Sequence, residues 1–176
     1  MGKKVDKAEI FCFDTSAFVR LHRFYPKAVI PDIWIELDRL FKAGKIISHE
    51  YVFDEILPDP KKADDLGKWI EKKEKSFRPI TQFQLDTVGD VLAKFPKLID
   101  PNNEKNQADP WLIAMMREYK EQEDSGLFPD QTNYFLVTEE STQKDNRIPA
   151  ACKKYGINHL TLFEFFGKMK WKLGIK

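Results

Sequence analysis

The stretch Ile10-Phe11-Cys12-Phe13-Asp14-Thr15-Ser16 decides how this chain is read. Four apolar residues run directly into an acid and two hydroxyls. A short apolar run with a polar break at its end reads as a buried strand, central in a parallel sheet. Ligands of open α/β sheets sit beyond the carboxyl ends of the strands, which is where Asp14 falls. Taken alone, Asp14 or Thr15 reads first as the N-cap of a helix over Ser16 to Leu21. A site reading needs partners from elsewhere in the chain.

The alternation of segments supplies the frame. Helices are expected after Asp32 (Ile33, Leu37, Leu40 and Phe41 inward, Gly44 as the stop) and over His49 to Leu57, with Ser48 as cap and Pro58 beyond. Ala63 to Lys75 reads as an amphipathic helix, its lysines a solvated face, with an RNA-binding role as the alternative reading. Thr81 to Phe95, Trp111 to Glu121, Ile148 to Tyr155 and the Phe-rich run after Thr161 complete the helices. Strands are expected at Ile46-Ile47, Phe77 to Ile80, Tyr134 to Val137 and Ile157 to Leu160. Strands separated by helices predict an α/β fold: a central, mostly parallel sheet of four to five short strands in three α/β/α layers. One domain is expected over residues 1–176, with Met1 to Ala8 a frayed, charged lead-in. Pro101 to Gln107 is a polar loop without packing logic of its own, and so a candidate functional loop. Lys120 to Asn133 reads as an exposed excursion.

Composition narrows the chemistry. The chain has 176 residues, 42% of them hydrophobic, with 14 Phe and 4 Trp, enough for a packed core. Its net charge is +1, so a polyanion must be held by a local patch or by metal ions rather than a global field. Cys12 and Cys152 have no Zn-ligand spacing, and His22, His49 and His159 lie far apart. No apolar run is long enough for a bilayer, and a reduced, cytoplasmic setting is expected.

Acids recur where the sheet would end. Thr138-Glu139-Glu140-Ser141 follows a strand as Asp14-Thr15-Ser16 does, and parallel strands put both ends on one rim. Glu55 lies at the border of a buried helical face, whereas neighbouring Asp54 is placed for solvent. Asp109 opens an otherwise apolar helix. Gathered carboxylates repel, and a hard oxygen set with few His or Cys favours Mg²⁺ or Mn²⁺. Each acid also has a plain reading: Asp109 before Pro110 as an ordinary N-cap, Glu55 as a surface acid, Glu139 and Glu140 as a capped turn.

The order and context of these acids resemble the PIN-domain nucleases, on Phe13-Asp14-Thr15-Ser16, Glu55, Ala108-Asp109-Pro110-Trp111-Leu112-Ile113-Ala114 and Val137-Thr138-Glu139-Glu140. The resemblance covers almost the whole chain, as far as Phe166. It implies a metal-dependent endoribonuclease of the bacterial toxin–antitoxin type. Asp14, Glu55, Asp109 and Glu140 would be its metal-binding and catalytic carboxylates, with Ser16, Thr138 and Glu139 in support. Where the family pattern often has Thr-x-Asp, this chain has Glu; by spacing Glu140 is the match, with Glu139 left open. The insertion around Glu121 to Asp130 has no assigned role. Arg20, Lys105 and Asn106 are candidates to hold RNA, with Arg23, Lys144, Arg147 and Tyr25 as further contacts. A cognate antitoxin is an expected partner. A homodimer through an exposed aromatic patch on the third and fourth helices is another; a membrane is not. The competing readings are a non-catalytic PIN-like module that binds RNA or protein, and a phosphatase of the haloacid-dehalogenase kind. The latter needs an Asp-x-Asp strand end, which Asp14-Thr15-Ser16 lacks.

Overall fold

A computed structural model describes residues 8–125, 132–145 and 147–171. In chain order the elements are β1 (Ala8–Phe13), α1 (Thr15–Phe24), α2 (Pro31–Lys42), β2 (Ile46–His49), α3 (Glu50–Ile56), α4 (Asp65–Glu71), β3 (Phe77–Arg78), α5 (Gln82–Lys94), α6 (Asp109–Asp124), β4 (Thr132–Val137), α7 (Ile148–Tyr155), β5 (His159–Leu160) and α8 (Leu162–Met169). The strands form one sheet in the order β3-β2-β1-β4-β5, and every pairing is parallel. This is the three-layer α/β/α architecture that the PIN-like resemblance implies.

β1 is the central strand, which explains its unbroken apolar run: both faces are covered. Phe11 and Phe13 meet Phe165 of α8 edge-on, with ring centroids 4.9 and 5.1 Å apart. Cys12, on the opposite face, lies within electrostatic reach of Cys152 on α7 and Tyr119 on α6. The register pairs Phe13 with Val137, so the residues that follow, Asp14 and Thr138, emerge side by side on the rim. From β2, the buried Ser48 hydroxyl donates to the Phe13 carbonyl at 2.6 Å and ties a third strand end to the same place.

Several helix boundaries depart from expectation for identifiable reasons. Pro31 suits the first helical position, so α2 is capped by Ile30 and Asp32 falls within the first turn. Ser48 belongs to β2, and its neighbour His49 caps α3 by accepting the Tyr51 amide at 3.1 Å on Nδ1. α4 begins only after Asp64, whose carboxylate takes the Gly67 amide at 2.7 Å, and the chain turns into a 3₁₀ turn at Glu74–Ser76. α6 runs on to Asp124, so the first part of the expected excursion, 120–124, is helix; residues 126–131 lie outside the described residues. So does the expected lead-in, apart from Ala8, which opens β1.

The aromatic patch expected on the third and fourth helices is not exposed. Trp69 is buried against Trp34 and Phe41, and Phe53 packs on Phe77. The large apolar residues left in solvent are instead Phe24, Val29, Ile35, Leu85 and Phe163, among the described residues. No described helix is long and apolar enough to cross a membrane.

Candidate active site

Asp14 stands where β1 hands over to α1, and its carboxylate does two jobs at once. It caps α1 by accepting the Ala17 amide at 2.6 Å, and it accepts the hydroxyls of Thr138 at 2.6 Å and Ser16 at 2.8 Å. The side chain is buried, with 1% exposure. Burial pushes its pKa up to about 7, against the pull of those three donors, and the charge on Glu140 pushes the same way.

Asp109 is the first residue of α6 but not its cap; that place belongs to Ala108, which offers no side-chain bond. The N-cap expectation for Asp109 therefore fails. Among the described residues no hydrogen bond or ion pair reaches its partly buried carboxylate. Burial raises its pKa well above the usual carboxylate range, and so do the charges of Glu140, Asp14 and Glu55, in that order; Arg147 opposes them.

Glu55, on α3, is no surface acid. One of its oxygens accepts the Thr15 hydroxyl and the other accepts the Ala108 amide at 2.8 Å. It thus touches the residue after Asp14 and the residue before Asp109. Asp54 points to solvent, as the helical phase predicts.

After β4 the two adjacent acids part company. Glu139 turns toward α1 and α8, pairing with Arg20 at 3.1 Å and accepting the Leu162 amide at 2.6 Å, while its own amide donates to Ser16 at 2.9 Å. Glu140 turns the other way; its charge raises the pKa of both Asp14 and Asp109. It accepts the Ile148 amide at 2.8 Å and meets Arg147 at 3.4 Å, while its amide donates to Thr138 at 3.2 Å. Asp14, Glu55, Asp109 and Glu140 are therefore brought to one rim, with Ser16 and Thr138 between them.

The expected RNA contacts are placed differently. Arg20 is engaged by Glu139 and lies over the Phe24 ring, its guanidinium carbon 4.5 Å from the centroid. Lys105 and Asn106 are exposed and touch none of the carboxylates. Their loop does have a logic of its own: Gln107 accepts the Asp100 amide at 2.6 Å and donates to the Asp100 carbonyl at 2.9 Å. Tyr25 packs edge-on against Phe166 with centroids 5.1 Å apart. Sequence reading passed over Thr15 and Ala108 as partners of Glu55. An amide donor leaves no mark in a sequence, although the hydroxyl directly after Asp14 was a usable signal.

The donor set suits a hard divalent cation: all oxygen, one buried and one half-buried acid with raised pKa values, and one carboxylate unpaired among the described residues. As they stand, however, no three His, Cys, Asp or Glu side chains among the described residues converge closely enough to enclose an ion.

A parallel α/β domain with an acidic rim at its strand ends is the class that fold and site define. The chain belongs to the DUF4411 family, described as a domain of unknown function, whose model matches residues 11–173. No curated protein matches it. Among solved structures, the crystal structure of VapBC2 from Rickettsia felis bound to a DNA fragment from their promoter aligns with 86% of this chain and 98% of that one. The sequence identity is 16% and the TM-score 0.48.

Proposed function

We propose that this chain is a Mg²⁺- or Mn²⁺-dependent endoribonuclease, the toxin of a toxin–antitoxin pair, acting in the cytoplasm with RNA as substrate and a cognate antitoxin as its inhibitor. The observation that carries the reading is the place of Asp109: a half-buried carboxylate at the start of α6, without a partner among the described residues, its pKa raised by burial and then by the charges of Glu140, Asp14 and Glu55. A hard divalent cation would relieve that repulsion, as a proton on one of the acids does in its absence. A bound Mg²⁺ or Mn²⁺ would neutralise the rim and supply Lewis-acid assistance to phosphodiester hydrolysis.

The chain's own contribution is position. Thr138, Ser16 and the Ala17 amide fix Asp14, and Thr15 with the Ala108 amide fixes Glu55. Asp14, Glu55, Asp109 and Glu140 would hold the ion. Arg147, beside Glu140, is a cation that could meet a phosphate group at the rim.

The test is cleavage of RNA by the purified chain with and without Mg²⁺ or Mn²⁺, alongside Asp14→Asn and Asp109→Asn. Loss of cleavage in both variants with unchanged circular dichroism is the expected result. Full activity in both, or metal-independent cleavage, would refute the assignment. One observation favours a second reading, a non-catalytic module that binds RNA or protein: Glu140 is already occupied by Ile148 and Arg147. Absence of Mn²⁺ binding at millimolar concentration would decide for that module.

A further inference from the structure

Away from the acidic rim, α1, α2 and α4 surround a hollow of about 350 Å³, within the range of small-ligand sites. Its floor carries Trp34 and Trp69, which meet edge-on with centroids 4.9 Å apart. Both indole N–H groups are spent elsewhere, Trp34 on the Tyr25 carbonyl at 2.7 Å and Trp69 on Asp38 at 3.0 Å. The floor therefore offers carbon rather than donors.

The rim is of opposite character. Lys27, Lys68 and Lys72 line it, and among the described residues none of the three takes part in an ion pair or a side-chain hydrogen bond; Asp65 is the one acid in the lining. The adjoining hollow, which shares Lys72, is different. There Lys73 is bound to Asp38 at 2.7 Å, and Glu71 and Glu74 offset the remaining lysines. In a chain of net charge +1, three uncommitted ammonium groups around an apolar hollow are a local excess. An anion with a flat apolar body satisfies both parts of such a site, since ammonium groups act as point charges for phosphate.

We propose that this hollow binds a nucleoside monophosphate unit, its base against the apolar floor and its phosphate among Lys27, Lys68 and Lys72. The choice of a nucleotide over other flat anions rests on the RNA-directed reading above. The unit can come from a free nucleotide or from an RNA strand. His22, also in the lining, lies on α1 about 12 Å of helical rise beyond Asp14, within reach of a strand held at the acidic rim.

The experiment uses the full chain carrying Asp14→Asn, so that binding is read without cleavage. The indole ¹⁵N–¹H resonances of Trp34 and Trp69 are followed during titration with adenosine monophosphate, inorganic phosphate, adenosine and a short oligoribonucleotide. Adenosine monophosphate is expected to shift both indoles saturably and to bind more tightly than phosphate or adenosine alone. Replacing all three lysines by alanine should weaken it about tenfold, the scale of three exposed ion pairs, and replacing them by arginine should restore it. Tighter binding of the oligoribonucleotide would make an RNA strand the source, and equal or weaker binding a free nucleotide; both uphold the site. No saturable shift up to millimolar nucleotide, or equal affinity in the alanine variant, would overturn it. Neither result bears on metal-dependent cleavage, which Asp109→Asn tests separately.

Discussion

The Glu55 carboxylate accepts the backbone amide of Ala108 across 53 residues of sequence, at 2.8 Å. Its second oxygen takes the Thr15 hydroxyl, so a single side chain links the starts of α1 and α6, the two helices that open beside Asp14 and Asp109. That link separates charge from scaffolding. Glu55→Gln keeps an acceptor for the amide and should fold normally while losing metal-dependent cleavage. Glu55→Ala strands a buried amide and should cost about 1–3 kcal/mol in urea unfolding besides. Equal stability of the two variants would contradict the linking role.

Metal should report on the rim through stability. A ligand that binds only the folded chain at a hundredfold excess over its dissociation constant stabilises it by about 2.7 kcal/mol. Mn²⁺ is expected to raise the melting temperature of the native chain by several degrees and that of Asp109→Asn by far less. Calorimetric scans with and without metal check this, and identical shifts would place the ion elsewhere.

Asp14 makes the metal-free protein less stable as pH rises. The folded state keeps a proton up to about 7 that the unfolded chain releases near 3.8. Its contribution is therefore lost progressively between those values, with a slope of at most about 1.4 kcal/mol per pH unit. Asp14→Asn should remove that slope. Denaturant melts of both proteins from pH 4 to pH 7 measure the difference.

His49 works in the opposite direction. It is buried, and burial lowers its pKa from 6.5 to about 4, against a contact of 3.2 Å with Gln84. The unfolded chain takes up the proton first as pH falls, so His49 contributes stability above 6.5 that is lost on acidification toward 4. His49→Asn keeps an acceptor for the Tyr51 amide and removes the titration. Comparing its urea midpoints with those of the native chain over this range should show a shallower acid loss in the variant.

Much of the architecture was written in local pattern. The run Ile10 to Phe13, the helical phase that set Glu55 inward and Asp54 outward, and the glycine after Tyr155 all carry their outcome in neighbouring residues. Gly156 does adopt the left-handed conformation that ends α7, at φ 64°. What escaped was decided by partners distant in sequence. Ser48 reads as a cap until the Phe13 carbonyl claims it, and His49, an uncommon cap, takes its place. The polar loop before Asp109 seemed unorganised because its order comes from one glutamine binding back to Asp100. At the rim, the residue types and their order were legible, whereas the split between Glu139 and Glu140 depended on where α7 and α8 begin.

That split has a consequence for anyone tracing descent in this family. Two identical side chains sit next to each other, Glu139 holding the start of α8 and Glu140 holding the start of α7 beside the rim, and only the backbone phase leaving β4 tells them apart. A single residue inserted between Val137 and Glu139 would carry Glu139 into the place that Glu140 holds, without altering the acidic character of the segment. Position relative to the strand, and not mere presence of an acid, is then the character to compare between relatives. A chain that kept only one of the two would reveal by its alignment which duty had been given up.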